Sequence, residues 1–148
     1  MKNATILRRI LYADTGLVII VILILAFIVI PSVKIDTSTQ ADPERAVPGI
    51  LFVILIHMVI VAALIRTIIA NQRGGCIETG LLIGLGVLLL LLSLMVSDGA
   101  SAYSDHTDPV MKRASILMFI CTGCNMLAGI LSFLAAWHSK QLIKTIKS

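Results

Sequence analysis

Residues 80–96 read Gly-Leu-Leu-Ile-Gly-Leu-Gly-Val-Leu-Leu-Leu-Leu-Leu-Ser-Leu-Met-Val, with no charged side chain among them. A helix needs ~20 largely apolar residues to cross a bilayer's hydrocarbon core, and this run approaches that length. Three further runs resemble it: residues 10–30, 49–70 (interrupted by His57 and Arg66) and 114–137. Inside lipid every backbone N–H and C=O must be satisfied within its own segment, so the runs are read as helices. A transmembrane barrel would show ~10-residue stretches of alternating polarity, and none are present. The sequence predicts an all-α integral membrane protein, one domain over residues 1–148, with four transmembrane helices in an antiparallel bundle.

Composition agrees with that reading. Of the 148 residues 58% are hydrophobic and 14% charged, against ~45–50% and ~25% in soluble domains. Such a chain is too apolar to be disordered. With 10 Gly, 4 Pro and 3 Cys it is neither collagen-like nor a disulfide scaffold.

Helix punctuation falls between the runs. Pro31 follows the first. Pro48 stands where the second begins, a position that tolerates the missing N–H. Asn71 to Gly75 closes the second, Ser97-Asp98-Gly99 the third, and Asp108-Pro109 precedes the fourth. No small-x-small cleavage site follows the first run, so it is read as a retained helix rather than a signal peptide. Beyond Trp137, residues 138–148 form a basic tail that continues the fourth helix, with Leu142, Ile143 and Ile146 beside Lys140, Lys144 and Lys147. A solvated interfacial anchor is the plain reading of such a tail; a docking helix for a partner is the sharper one.

Charge sets the expected orientation. With the N-terminus inside, Lys2, Arg8, Arg9, Arg66, Arg73, Lys140, Lys144 and Lys147 lie inside, and Lys34, Arg45, Lys112 and Arg113 outside. Loop Lys and Arg are enriched on the cytoplasmic side, which predicts N-in/C-in in a plasma (inner) membrane, crossed four times. The net charge of +4 is then membrane orientation and contact with anionic headgroups. No nucleic-acid partner is expected; the partners are the lipid bilayer and other membrane subunits or a second copy.

Any chemistry would sit on the few polar residues inside the runs: Asp14, His57 and Arg66 foremost. At 1.5 Å rise per residue, Asp14 and Arg66 come to about the same level. They either pair, as intramembrane charges commonly do, or snorkel separately to the headgroups; a proton or ion pathway is the third reading. His57 lies deeper, at roughly the level of Cys121, Cys124 and Asn125, with Ser93 shallower. These residues could gather in the outer half of the bundle.

Three readings of that cluster differ in chemistry. The first is packing. Cys121, Cys124, Asn125, Ala128, Ser132 and Ala135 recur at three- and four-residue spacing, and Gly80 and Gly84 form a GxxxG with Gly86 nearby. Small residues let membrane helices approach closely, so Gly80, Gly84, Cys121, Asn125, Ala128 and Ser132 are the expected interface, between helices three and four or between two protomers. The second is thiol redox: Cys121-Thr122-Gly123-Cys124 is a CxxC, a motif that can activate one thiol. Four membrane helices with a CxxC toward the outer end of the fourth resemble the vitamin K epoxide reductase family. The resemblance covers helix count, chain size and Cys121/Cys124, and it implies thiol exchange with a quinone. Neither outer loop carries the cysteines that would shuttle electrons, and Cys76 falls in the inner loop. The third is metal or haem held by His57 with the two thiols; the spacing matches no ligand pattern. Asp105-His106-Thr107-Asp108 in an outer loop is a weaker metal string.

Nucleotide loops, HExxH and GxSxG are absent from the sequence. The expectation is therefore a small polytopic protein that acts through helix packing, without cofactor or metal. It would be an accessory or assembly subunit of a membrane complex, or a homo-oligomer. A membrane thiol oxidoreductase using Cys121 and Cys124 is the alternative, and an oligomeric pore the second.

Overall fold

The computed structural model describes residues 2–35, 43–72, 78–104 and 109–147, and all of its elements are helical. The first helix runs as α1 (Lys2–Ile24), a π turn (Leu25–Val29) and α2 (Ile30–Ile35). It is followed by α3 (Pro43–Gln72), α4 (Thr79–Ser104) and α5 (Pro109–Lys147). Four of these stretches are long and apolar enough to cross a membrane: Ala4–Val33, Val47–Gln72, Thr79–Ser104 and Pro109–Ile143.

The helices outrun the apolar runs at nearly every end. Hydropathy stops at the first polar cluster, whereas the hydrogen-bond ladder continues until a residue breaks it. Pro31 shows the difference: the helix passes through it. Proline lacks the N–H for an i−4 bond, and its ring crowds that carbonyl. The turn just before it widens, with the Ile30 N–H bonded to the Leu25 carbonyl. Ser32 then donates its hydroxyl to the Ile28 carbonyl at 2.7 Å. Local π geometry and a serine thus absorb what the sequence predicted as a helix end. Pro48, expected at the start of the second helix, lies inside α3, which begins at Pro43. Ser97-Asp98-Gly99 does not stop α4. Ala100 is fully buried, and the Ser115 hydroxyl on α5 donates to its carbonyl at 2.8 Å.

Packing is uneven. α5 lies along α4 most extensively and then along α1; α3 packs on the first helix and makes no comparable backbone packing with α4 or α5. Two apolar clusters divide the interior. One joins Leu7, Leu11 and Val18 to Ile60, Leu64, Leu82, Leu89, Ala128 and Ala135. The other joins Val21, Leu25, Val29 and Val33 to Ile50, Ile54, Val96, Ala100, Met118 and Cys121. The stretches 55–59 and 122–127 fall between the two clusters, and there the polar residues of the interior begin.

α4 and α5 approach backbone to backbone at a glycine pair the sequence did not single out. A Cβ on Gly86 would lie 3.1 Å from the Gly129 carbonyl oxygen, and one on Gly129 would lie 3.1 Å from that of Gly86. Gly80 and Gly84 do not pack against α5. Both are exposed, and a Cβ on either would meet nothing within 4 Å. Gly86 is buried two residues beyond Gly84, on a different side of a helix that turns about 100° per residue. Within one protomer this corrects the GxxxG reading.

Candidate functional site

One face of α5 carries polar side chains into the interior, where they meet polar residues of the other helices. Cys121, Asn125, Ala128, Ser132, Ala135 and Ser139 recur every three or four residues and are all buried, as helical periodicity requires of one face. Two of them, Asn125 and Ser132, reach polar groups on other helices.

Asn125 meets His57 of α3. The imidazole Nε2 lies 3.0 Å from the Asn125 amide, and Nδ1 lies 2.7 Å from the Val53 carbonyl oxygen one turn back. A carbonyl only accepts, so Nδ1 carries a proton and donates to it. In the neutral ring Nε2 then accepts, and the partner must be the amide NH2. A half-turn of the amide supplies it, since oxygen and nitrogen exchange places with little change of shape. The same half-turn explains why Asn125 Nδ2 is otherwise without a partner. The bond spans α3 and α5, whose backbones do not pack closely.

Ser132 meets Asp14 of α1. Its hydroxyl donates to Asp14 Oδ2 at 2.5 Å. Asp14 is fully buried, and its Oδ1 has no hydrogen-bond partner. The neighbouring Thr15 hydroxyl is spent on the Leu11 carbonyl at 2.8 Å. The sequence left open an ion pair with Arg66, and the structure does not form it: Arg66 is exposed on α3. The depth estimate erred because α3 ends later than hydropathy indicates. Gln72 donates to the Tyr12 hydroxyl at 3.0 Å, which sets Arg66 six residues before that level on α3, while Asp14 is only two residues beyond it on α1.

The predicted polar cluster is only partly assembled. His57 and Asn125 meet. Ser93 donates to Leu90 O within its own helix at 2.7 Å. Cys121 is buried in the second apolar cluster, with Cys124 partly buried against the same cluster; both are free thiols. Among the described residues no group of three His, Cys, Asp or Glu side chains could hold a metal ion. Cys76 and the string Asp105-His106-Thr107-Asp108 lie outside the described residues. Asn125 and Ser132 are seven residues apart, about 10.5 Å along the axis, so the two polar pairs are separate sites with no direct transfer between them.

A cavity of about 240 Å³ opens where α3 and α4 fail to pack, lined mainly by Leu25, Ile50, Val53, Val96, Gly99 and Met118. Its walls are largely apolar, with Tyr103 the one hydroxyl-bearing side chain in the lining, and offer no constellation for catalysis. Sequence reasoning missed the Asp14–Ser132 bond, although its signal was present: two polar residues one heptad apart on a stripe of small residues need two partners on facing helices.

No family model matches the chain, and no curated protein or solved structure shows significant similarity to it.

Proposed function

We propose that this chain is a small membrane-embedded packing subunit, assembled with larger membrane proteins or with copies of itself, its four helices forming an antiparallel bundle oriented N-in/C-in in the plasma membrane. One observation carries the reading. α4 has two glycine surfaces and the protomer uses only one. Gly86 is occupied by Gly129 and Phe133 of α5, while Gly80 and Gly84 face outward with nothing in front of them. Glycines one turn apart let a second backbone approach closely enough for dispersion and Cα–H···O contacts, which drive helix association where no hydrophobic effect acts between helices and lipid.

The interior supports the same reading. His57, Asn125, Asp14 and Ser132 are turned inward and bonded to one another, so they fix helix positions rather than face a solvent path. The free thiols sit against apolar side chains, a setting that suits packing better than exchange with a partner thiol.

The test is purification of the tagged full-length chain in mild detergent beside Gly84→Leu. Wild type is expected in a species larger than one protomer, with other membrane proteins or with itself. Gly84→Leu is expected as a folded protomer with unchanged thermal stability. A wild-type chain that runs alone as a monomer overturns the proposal.

A further inference from the structure

Arg66 departs from the pattern of the other polar residues deep in the described spans, which are buried or, like Thr122, half-buried and bonded to their own helix. Asp14, His57, Thr67, Ser93, Asn125 and Ser132 are all buried. Arg66 lies within the span Val47–Gln72, is exposed, and has no hydrogen bond or ion pair among the described residues. An ionised side chain in a membrane helix ordinarily faces the protein interior and pairs there. Here no such pair forms among the described residues: Asp14, the buried carboxyl toward this end, lies in the interior bonded to Ser132 while Arg66 faces outward.

The surface around Arg66 is a helix face without a neighbour. The backbone of α3 packs mainly on the first helix, and its inward side chains meet α4 and α5. On its free side Phe52, Leu55, Val59, Ala62, Arg66 and Ile69 follow one another at alternating three- and four-residue steps and are all exposed. That is the spacing of a seam between two helices crossing at a shallow angle. Ala62, one turn from Arg66, leaves room beside the guanidinium.

We propose that this face of α3 docks a transmembrane helix of a different protein, one carrying an Asp or Glu at the level of Arg66. Charge complementarity selects the carboxylate. Among the described residues a second copy in the same orientation offers no carboxylate at that level: Asp14 is buried, and Glu78 and Asp98 lie toward opposite ends of α4. A lipid phosphate is the less favoured anion on geometric grounds. The Tyr12–Gln72 bond marks the polar end of α3, and Arg66 lies about 9 Å below it at 1.5 Å per residue. Side chains on a helix lean toward its N-terminus. Arg66, near the C-terminal end of α3, therefore sets out toward the middle of the span and away from the nearer headgroups.

The proposal rests on the packing reading above and names the chemistry of the partner. Its test uses the full-length protein in phosphatidylcholine vesicles with synthetic transmembrane polyleucine peptides. One peptide carries a single Glu at the depth of Arg66 and the other Leu, with association read by fluorescence energy transfer. The Glu peptide is expected to bind about 3- to 30-fold more tightly than the Leu peptide, the range of interhelical polar contacts in membranes. Arg66→Leu is expected to abolish that preference, and Arg66→Glu to shift it to a peptide bearing Lys. Equal binding of the Glu and Leu peptides to wild type overturns the proposal. So does loss of the preference in phosphatidylglycerol vesicles at matched ionic strength, which would make the headgroup the occupant of Arg66. If Gly84→Leu breaks the native assembly while the Glu peptide gains nothing, the packing reading stands and this one falls.

Discussion

Gly86 and Gly129 stand backbone against backbone, each occupying the space a Cβ on the other would need, at 3.1 Å from a carbonyl oxygen. A carbonyl in a helix cannot swing aside as a side-chain tip can. Gly86→Ala is therefore expected to force α4 and α5 apart and cost about 1–3 kcal/mol, as overpacking does. Gly84→Ala, with open space at its Cβ, should leave stability unchanged. Thermal or denaturant unfolding in detergent measures both. Equal effects at the two positions would mean that the helices do not meet at Gly86.

Asp14 depends on Ser132 in this structure, not on Arg66. Ser132→Ala removes the donor on Oδ2 and leaves a buried carboxyl without a protein partner, which is expected to destabilise by about 1–3 kcal/mol. Asp14→Ala in that background should cost less than Asp14→Ala alone, because the two losses share one bond. Asp14→Ala and Arg66→Ala should add within about 0.5 kcal/mol, as distant sites do. A larger coupling between Asp14 and Arg66 would restore the ion pair.

These two sites show how far the sequence could be read. Long uninterrupted apolar runs identify spanning helices because the backbone has no other solution in lipid, and four such helices are present. Rotation about each helix axis is not written in the same way. A run apolar on all sides, such as residues 80–96, carries little periodic signal to say which side faces inward. The eye therefore falls on the glycine pair with the familiar spacing, Gly80 and Gly84, and passes over Gly86. α5 is legible because its stripe contains Asn125, Ser132 and alanines among larger residues, so its buried face can be named residue by residue. The partners of Asn125 and Ser132 on α3 and α1 depend on axial register. That register was misjudged for α3 because apolarity fades before the helix ends at Gln72.

The His57–Asn125 bond ties α3 to α5 across a gap that their backbones do not close. A double-mutant cycle of His57→Ala and Asn125→Ala should give a coupling near ~0.6 kcal/mol and below ~1.7 kcal/mol, the span measured for polar contacts between membrane helices. His57 also donates to its own helix at Val53, so the single His57→Ala loss should exceed the coupling. Zero coupling would mean that the two side chains do not meet.

Topology can be checked without reference to packing. The basic residues divide eight to four between the two sets of loops and ends, from which the positive-inside rule predicts that the termini and Cys76 lie inside. A membrane-impermeant thiol reagent added to sealed, correctly oriented cells should label cysteines introduced at Ser38 or Tyr103. Cys76 should be labelled only after permeabilisation. Labelling of Cys76 in intact cells would reverse the orientation and with it the side on which the basic tail lies.

Cys121 and Cys124 separate a packing protein from a thiol enzyme. Both are on α5 and both are free. Side chains at i and i+3 of a helix have Cβ atoms about 5–6 Å apart, whereas a disulfide needs about 3.5–4.5 Å. A bridge would require α5 to unwind in mid-span, where its backbone bonds have no water to replace them. Replacing both with alanine should preserve fold and assembly. Cys121→Ser should be the costlier single change: Cys121 is fully exposed to apolar neighbours and not to solvent, and a hydroxyl there costs about 1–3 kcal/mol unless it bonds back to its own helix. Differential alkylation after purification without reductant should find free thiols at both positions, with Cys124 reacting faster because it is only partly buried. A quantitative Cys121–Cys124 disulfide, or loss of assembly-independent activity from either alanine variant with the fold intact, would displace helix packing as the function and put a membrane oxidoreductase in its place.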